Sequence, residues 1–137
     1  MEPQRFLDAQ APVWDQVLRE LSAGRKQGHW MWFVFPQLVG LGISATAQRY
    51  ALEDAAAARA YAAHPVLGPR LRAALAAAMR AGTRDPVAIF GTVDAMKLRS
   101  CLTLFSEAAA APDAFRAGIA HFYKGQPDPR TLALLRP

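Results

Sequence analysis

The sequence predicts an all-α fold, a compact multihelical single domain (residues 1–137) around a buried central helix at about residues 93–110. Apolar residues recur at the three- and four-residue spacing of amphipathic helices, and Gly and Pro separate the segments that show this spacing. The chain has 137 residues, of which 53% are hydrophobic and 20% charged. That composition supplies enough apolar surface to fill one core.

The first third of the chain predicts an amphipathic surface helix followed by an irregular segment. The helix should begin near Pro12, since proline is tolerated at the first helical position, and it should end at Gly24. Residues 26–50, KQGHWMWFVFPQLVGLGISATAQRY, concentrate bulky apolar side chains without helical spacing or strict alternation. We expect a loop, one or two helical turns and an extended piece, then a helix over residues 45–52 capped by Ser44.

The rest of the chain predicts a series of helices separated by Pro and Gly. They should lie over about residues 53–63, 66–81, 85–90, 93–110, 112–124 and from 129 onward. In the segment at 93–110, apolar side chains such as Met96, Cys101 and Phe105 point in most directions. Little of that helix can therefore face water, and it is the predicted central helix.

Three polar residues on the predicted central helix need an explanation. Asp94, Lys97 and Ser100 are three positions apart in turn and are therefore neighbours on the helix surface. A buried lysine needs a paired anion or an anionic ligand, and Asp94 lies within reach of Lys97. Two interpretations stay open: an internal ion pair or a lysine that extends to the surface, and a cation and an acid that line an anion pocket.

Other reactive side chains also have a structural and a functional interpretation. His29, which precedes the aromatic run, is either a structural residue or a general acid or base. Ser44 is either a helix cap or a nucleophile. Cys101, the one cysteine, fits an inert core thiol better than a nucleophile.

Established catalytic and metal-binding motifs are absent from the sequence. The three His and the single Cys are far apart, and neither GxGxxG, GxxxxGK[ST] nor GxSxG occurs, so we expect no metal and no cofactor. The N-terminus lacks a signal-peptide pattern and no apolar run reaches the roughly 20 residues of a membrane span, so we expect a cytoplasmic location. The net charge of +5 is not gathered in a block that would mark a nucleic-acid-binding tail.

Three segments resemble a known bacterial family: HWMWFVFPQLVGLGIS at 29–44, AHPVLGPRL at 63–71 and FGTVDAMKLRSCLTLF at 90–105. Together they resemble the family called domain of unknown function 1810, sometimes labelled calpastatin-like, over nearly the whole chain. The resemblance implies a compact multihelical fold and a cytosolic bacterial protein, and it brings no established reaction. Calpastatins are disordered, polar inhibitors, and the aromatic and apolar content of this chain does not fit that activity.

The residues that match the motifs of this family form the predicted site. Family members usually have Ser-Ser-Met-Thr at positions 100–103, where this chain has Ser-Cys-Leu-Thr, so a second hydroxyl is missing. The matching residues are Lys26, His29, Trp30, Trp32, Phe35, Pro36, Gln37, Ser44, Tyr50, His64, Asp94, Lys97, Ser100 and Thr103.

The leading functional hypothesis is binding of an anionic nucleotide or ADP-ribose-like ligand, or a metal-free hydrolytic or transfer reaction on it. The predicted ligand-binding residues are Lys26, Trp30, Trp32, Gln37, Ser44, Tyr50, Lys97, Ser100 and Thr103. One of the two tryptophans would stack on a base, the two lysines would neutralise phosphate or carboxylate, and Gln37 would bind polar edges. His29 or Asp94 would be the catalytic acid–base group.

Two other hypotheses stay open. A nucleic-acid-binding module would combine the surplus of Arg with exposed aromatic residues as stacking platforms. A structural or protein-interaction domain would bury the aromatic run in its core and pair Lys97 with Asp94. These hypotheses differ in whether the run HWMWFVFPQ faces the polar strip of the central helix, formed by Asp94, Lys97 and Ser100. The sequence leaves the oligomeric state open.

Overall fold

A computed structural model describes residues 1–136, and within that range it contains nine helices and no strand. The prediction of an all-α fold is therefore confirmed. The helices are α1 (Gln4–Gln10), α2 (Trp14–Ser22), α3 (Met31–Val34), α4 (Ala45–Tyr50), α5 (Ala55–Ala63), α6 (Leu67–Met79), α7 (Pro86–Ala108), α8 (Asp113–Tyr123) and α9 (Pro129–Leu135). No helix between residues 1 and 136 is both long and apolar enough to cross a membrane.

Helix α7 is the centre of the fold, and α5, α8 and α9 pack against it. Its second half is almost wholly enclosed, since every residue over 98–106 except Arg99 is buried. The first half is different, because Val93 and Met96 are 66% and 64% exposed. The expectation that the side chain of Met96 belongs to the interior is therefore wrong. The neighbours of α7 cover its second half and leave one face of its first half open.

The two helices predicted over 85–90 and 93–110 meet in α7. Asp85 caps the amino-terminal end by accepting a hydrogen bond from the backbone amide of Val87 (3.0 Å), and Pro86 occupies the first turn. Gly91, with φ of +79°, breaks the helical path in between. A residue with a side chain adopts this left-handed conformation only at a cost, which explains glycine at the kink.

Helix α1 is not predicted by the sequence, because seven residues contain too few turns to define an apolar stripe. Tertiary contacts explain why it forms. The ring of Phe6 is fully buried and meets the ring of Tyr61 edge-on, with 5.1 Å between the centroids. The amide of Gln10 donates a hydrogen bond to the backbone oxygen of Phe33 (2.7 Å) and thereby joins α1 to α3.

The aromatic run is largely core. The side chains of Trp30, Met31, Val34 and Phe35 are each only 1% exposed. After this run the chain is extended, and the backbone amide of Leu52 donates to the backbone oxygen of Gln37 (2.9 Å). Of the aromatic side chains in the run, only those of Trp32 and Phe33 are half-buried rather than buried.

Candidate functional site

A pocket of about 400 Å³ lies between the segment over residues 32–47, the open face of α7 and the start of α9. Its lining residues are Trp32, Gln37, Leu41, Gly42, Ile43, Ser44, Ala47, Val93, Met96, Lys97, Arg99, Ser100, Asp128 and Arg130. The aromatic segment and the polar strip of α7 thus meet at this pocket. Its volume lies within the range of small-molecule sites, roughly 300 to 1,000 Å³.

Lys97 and Trp32 form one wall of the pocket. The Nζ atom of Lys97 lies 4.8 Å from the centroid of the Trp32 ring, which is a cation–π contact. The same atom lies 3.4 Å from Oδ1 of Asp94, and the lysine side chain is 23% exposed. The ammonium group of Lys97 is therefore held at the pocket wall and still reaches solvent.

Asp94 is shared by two lysines. Its Oδ2 atom lies 2.7 Å from Nζ of Lys26, a side chain that is only 7% exposed. The same ammonium group donates to the backbone oxygen of Gly28 (2.5 Å) and lies 4.9 Å from the centroid of the Trp30 ring. Two positive charges thus face one carboxylate, and the cluster keeps a net charge of +1. The shorter pair is the one with Lys26, on the side away from the pocket.

The far end of the pocket contains two arginines and a carboxylate. Arg99 donates to the backbone oxygens of Gln126 and Pro127, both at 3.0 Å, and so holds the turn before α9. Asp128 accepts from the backbone amide (3.0 Å) and the hydroxyl (2.6 Å) of Thr131 and caps α9. The side chain of Arg130 is exposed and has no hydrogen-bond or ion-pair partner among residues 1–136. Of the cations that line the pocket, the guanidinium group of Arg130 makes the fewest polar contacts with other protein atoms.

Five of the residues predicted from the sequence line the pocket: Trp32, Gln37, Ser44, Lys97 and Ser100. The hydroxyl of Ser44 accepts a hydrogen bond from the backbone amide of Ala47 (3.1 Å), which confirms Ser44 as the cap of α4. The hydroxyl of Ser100 lies 2.9 Å from that of Thr131 in a buried contact between α7 and α9. Both hydroxyl groups therefore have structural partners.

The other predicted residues lie outside the pocket lining. His29 is exposed, whereas Trp30 is buried and donates through Nε1 to the carboxylate of Glu20 (3.0 Å). Asp94 and Lys26 lie behind the wall in the charge cluster. Trp32 is therefore the tryptophan that lines the pocket, and the acid–base roles of His29 and Asp94 stay predictions.

Tyr50 and Thr103 also lie outside the lining. The ring of Tyr50 packs against those of Phe6 and Phe33, with centroid distances of 5.8 and 5.3 Å. Thr103 is fully buried; its hydroxyl donates to the backbone oxygen of Arg99 (2.8 Å) and accepts from the backbone amide of Asp128 (2.8 Å). These contacts give Thr103 a role in supporting the far end of the pocket.

Nine lining residues are not predicted by the sequence: Leu41, Gly42, Ile43, Ala47, Val93, Met96, Arg99, Asp128 and Arg130. Val93 and Met96 share a helix face with Lys97 and Ser100, and this spacing is the signal that could have found them. Arg130 carries no such signal, because folding alone brings α9 next to α7. Within residues 1–136 no group of three or more His, Cys, Asp or Glu side chains is arranged to hold a metal ion.

Glu20 fixes the turn that leads into the aromatic run. Its Oε1 atom accepts hydrogen bonds from the backbone amides of Gln27 (2.7 Å) and Gly28 (2.8 Å), in addition to the one from Trp30. Oε2 accepts from the side-chain amide of Gln16 (2.6 Å). Partial burial opposes the charged carboxylate, but these hydrogen bonds outweigh it and lower the pKa of Glu20 from 4.5 to about 2.

The comparisons with known proteins agree with this architecture. Residues 1–135 match the model of a family described as "Protein of unknown function (DUF1810)". The chain belongs to this family. It is also similar to the crystal structure of the conserved hypothetical protein Rv1873 from Mycobacterium tuberculosis, at 48% sequence identity and a TM-score of 0.95. That match covers 98% of this chain and 96% of the other. A search of the curated proteins finds no match. The resemblance read from the three segments is thus confirmed.

Proposed function

We propose that the protein binds an anionic small molecule, of nucleotide or ADP-ribose type, in the pocket beside Lys97. The observation that carries this proposal is the shared carboxylate of Asp94. Its Oδ2 atom lies 2.7 Å from Lys26 and its Oδ1 atom 3.4 Å from Lys97, so one carboxylate serves two ammonium groups and Lys26 has the shorter contact. The ammonium group of Lys97 at the pocket wall therefore shares its counter-ion with Lys26. The anionic group of a ligand would give Lys97 a second negative partner.

The energy available from this arrangement is substantial. At an effective dielectric constant of about 20, two unit charges 4 Å apart attract each other by roughly 4 kcal/mol. Lys97 is mostly screened from bulk water, so an anion at the wall would keep a good part of that attraction. Two further cations, Arg99 and Arg130, line the same pocket, and the planar guanidinium fork suits phosphate and carboxylate groups.

A metal-free hydrolytic or transfer reaction has less support than binding. It requires an acid–base group next to the ligand. His29 is exposed and outside the pocket lining, and Asp94 faces the two lysines behind the wall. We therefore propose binding as the function, with phosphorus NMR of the incubated ligand as the check for turnover.

The nucleic-acid hypothesis has less support than binding of a small anion. Among residues 1–136, none of the large apolar side chains that are exposed is aromatic. Stacking of successive unpaired bases depends on exposed aromatic faces. A single-stranded RNA oligonucleotide belongs in the ligand panel, where salt-sensitive binding to it would favour this rival.

A thermal-shift and calorimetric panel of AMP, ADP, ADP-ribose and inorganic pyrophosphate tests the proposal. We expect at least one nucleotide to stabilise the wild-type protein and Lys97→Met to weaken its binding about tenfold or more, because the charge is lost while the apolar stem stays. Arg59→Met is the matched control: it removes one exposed positive charge from α5, away from the pocket. No shift with any ligand, or equal binding by Lys97→Met, would overturn the proposal.

A further inference from the structure

The most exposed large apolar side chains of the described chain gather at one place. Within residues 1–136, Ile43 is 92% exposed, Val93 66% and Met96 64%, and the other large apolar side chains are 48% exposed or less. All three residues line the pocket that also contains Lys97. Exposed apolar residues scattered singly need no explanation, but a cluster of them beside a pocket marks a binding surface.

Helix geometry separates this apolar cluster from the cationic end of the pocket. Val93, Met96, Lys97 and Ser100 follow one another at helical spacing on one face of α7. The seven helical steps from Val93 to Ser100 span about 10 Å along the helix axis. Val93 and Met96 are at the amino-terminal end of this face, whereas Ser100 lies against α9. The pocket therefore has an apolar end, which we call its mouth, a lysine in the middle, and two arginines with the carboxylate of Asp128 at the far end.

One face of the Trp32 ring is already covered by a cation. The ammonium group of Lys97 lies over this ring, 4.8 Å from its centroid. A base that stacked on that face would have to displace the ammonium group and lose the cation–π contact. The apolar mouth offers contact area without that cost.

We infer that the ligand is an amphiphilic anion whose apolar ring lies on Ile43, Val93 and Met96 while its anionic group lies at Lys97. This inference rests on the proposed function and adds which residues select the ring. The positive charges of the pocket complement an anionic group, and they line the same pocket as the apolar mouth, so one ligand can contact both. Binding would cover the apolar surface that the unliganded protein exposes to water.

Isothermal titration with two probes tests the inference: ADP, which contains a ring, and inorganic pyrophosphate, which does not. We expect Ile43→Ser and Met96→Ser each to weaken ADP binding about five- to tenfold through lost apolar contact, and to leave pyrophosphate binding unchanged. Val87→Ser is the matched control, since Val87 is 46% exposed on the same helix but outside the pocket. Both test residues are exposed, so circular dichroism should show folded variants.

The outcomes separate the inference from the proposed function. If neither probe nor any nucleotide binds the wild-type protein, the proposed function fails and the inference fails with it. If ADP binds both serine variants as tightly as wild type, or if both probes weaken equally, the inference is overturned while the anion site stands. A change from dimer to monomer in the serine variants, with ADP binding unaltered, would instead make the mouth a contact between copies and would overturn it as well.

Discussion

Replacing Glu20 with glutamine should loosen the turn that carries Lys26 and Trp30, and should change how stability depends on pH. In the folded protein the Glu20 carboxylate accepts hydrogen bonds from two backbone amides and two side chains. A neutral amide has one oxygen that can accept and an NH₂ group that would face those donors. Hydrogen bonds to a charged acceptor are also about twice as strong as neutral ones.

The size of the effect follows from the pKa of Glu20. Partial burial opposes ionisation, yet the hydrogen bonds lower the pKa from 4.5 to about 2. Without solvent screening that shift would correspond to about 3 kcal/mol. Because the carboxylate is only half-buried, we expect Glu20→Gln to lower the free energy of unfolding by about 1.5 kcal/mol at pH 7. A lowered pKa stabilises the folded state above pH 4.5, and this contribution is lost as the pH falls towards 2.

Urea unfolding followed by circular dichroism between pH 7 and pH 2.5 measures this contribution. The difference between wild type and Glu20→Gln should be greatest above pH 4.5 and should shrink steadily below it. Glu53→Gln is the control, because Glu53 is exposed and its carboxylate makes no hydrogen bond or ion pair within residues 1–136. A difference that stayed constant down to pH 2.5, or no difference at pH 7, would refute the reasoning.

Two further predictions concern the core. Gly68→Ala would place a Cβ atom 2.1 Å from the backbone oxygen of Ala62, so it should lower the free energy of unfolding by about 2 kcal/mol; an unchanged urea midpoint would contradict this. Burial raises the pKa of Tyr61 and of Tyr123 above the ordinary 10.0. The folded state therefore loses stability as the pH rises above 10, and ionisation of these two phenols, followed by absorbance, should coincide with unfolding rather than precede it.

Helix α2 and the helices from α4 onward are predictable because their ends are encoded locally. Ser44 and Asp85 cap helices through contacts with residues two or three positions away, and Gly91 marks the kink in α7 by its own conformation. Such signals depend on neighbours in the chain. Helix α1 has no local signal of that kind and forms because Phe6 and Gln10 find partners in α5 and α3.

The candidate site is predictable only in part for a related reason. Asp94, Lys97 and Ser100 are neighbours on one helix, so spacing alone brings them together. Spacing does not reveal that Lys26 takes the shorter contact with Asp94, nor that Lys97 lies over Trp32.

The sequence by itself determined the helical fold, the family and the polar strip of α7, because each depends on residue types at short or fixed spacing. Only the tertiary structure decided which of the two tryptophans is core and which lines a pocket. Trp30, the residue that precedes α3, is buried in the interior. Trp32, two positions later on α3, lies against the ammonium group of Lys97. The cationic end likewise depends on α9 folding back onto α7, because side chains distant in sequence meet only when the core that joins them has formed.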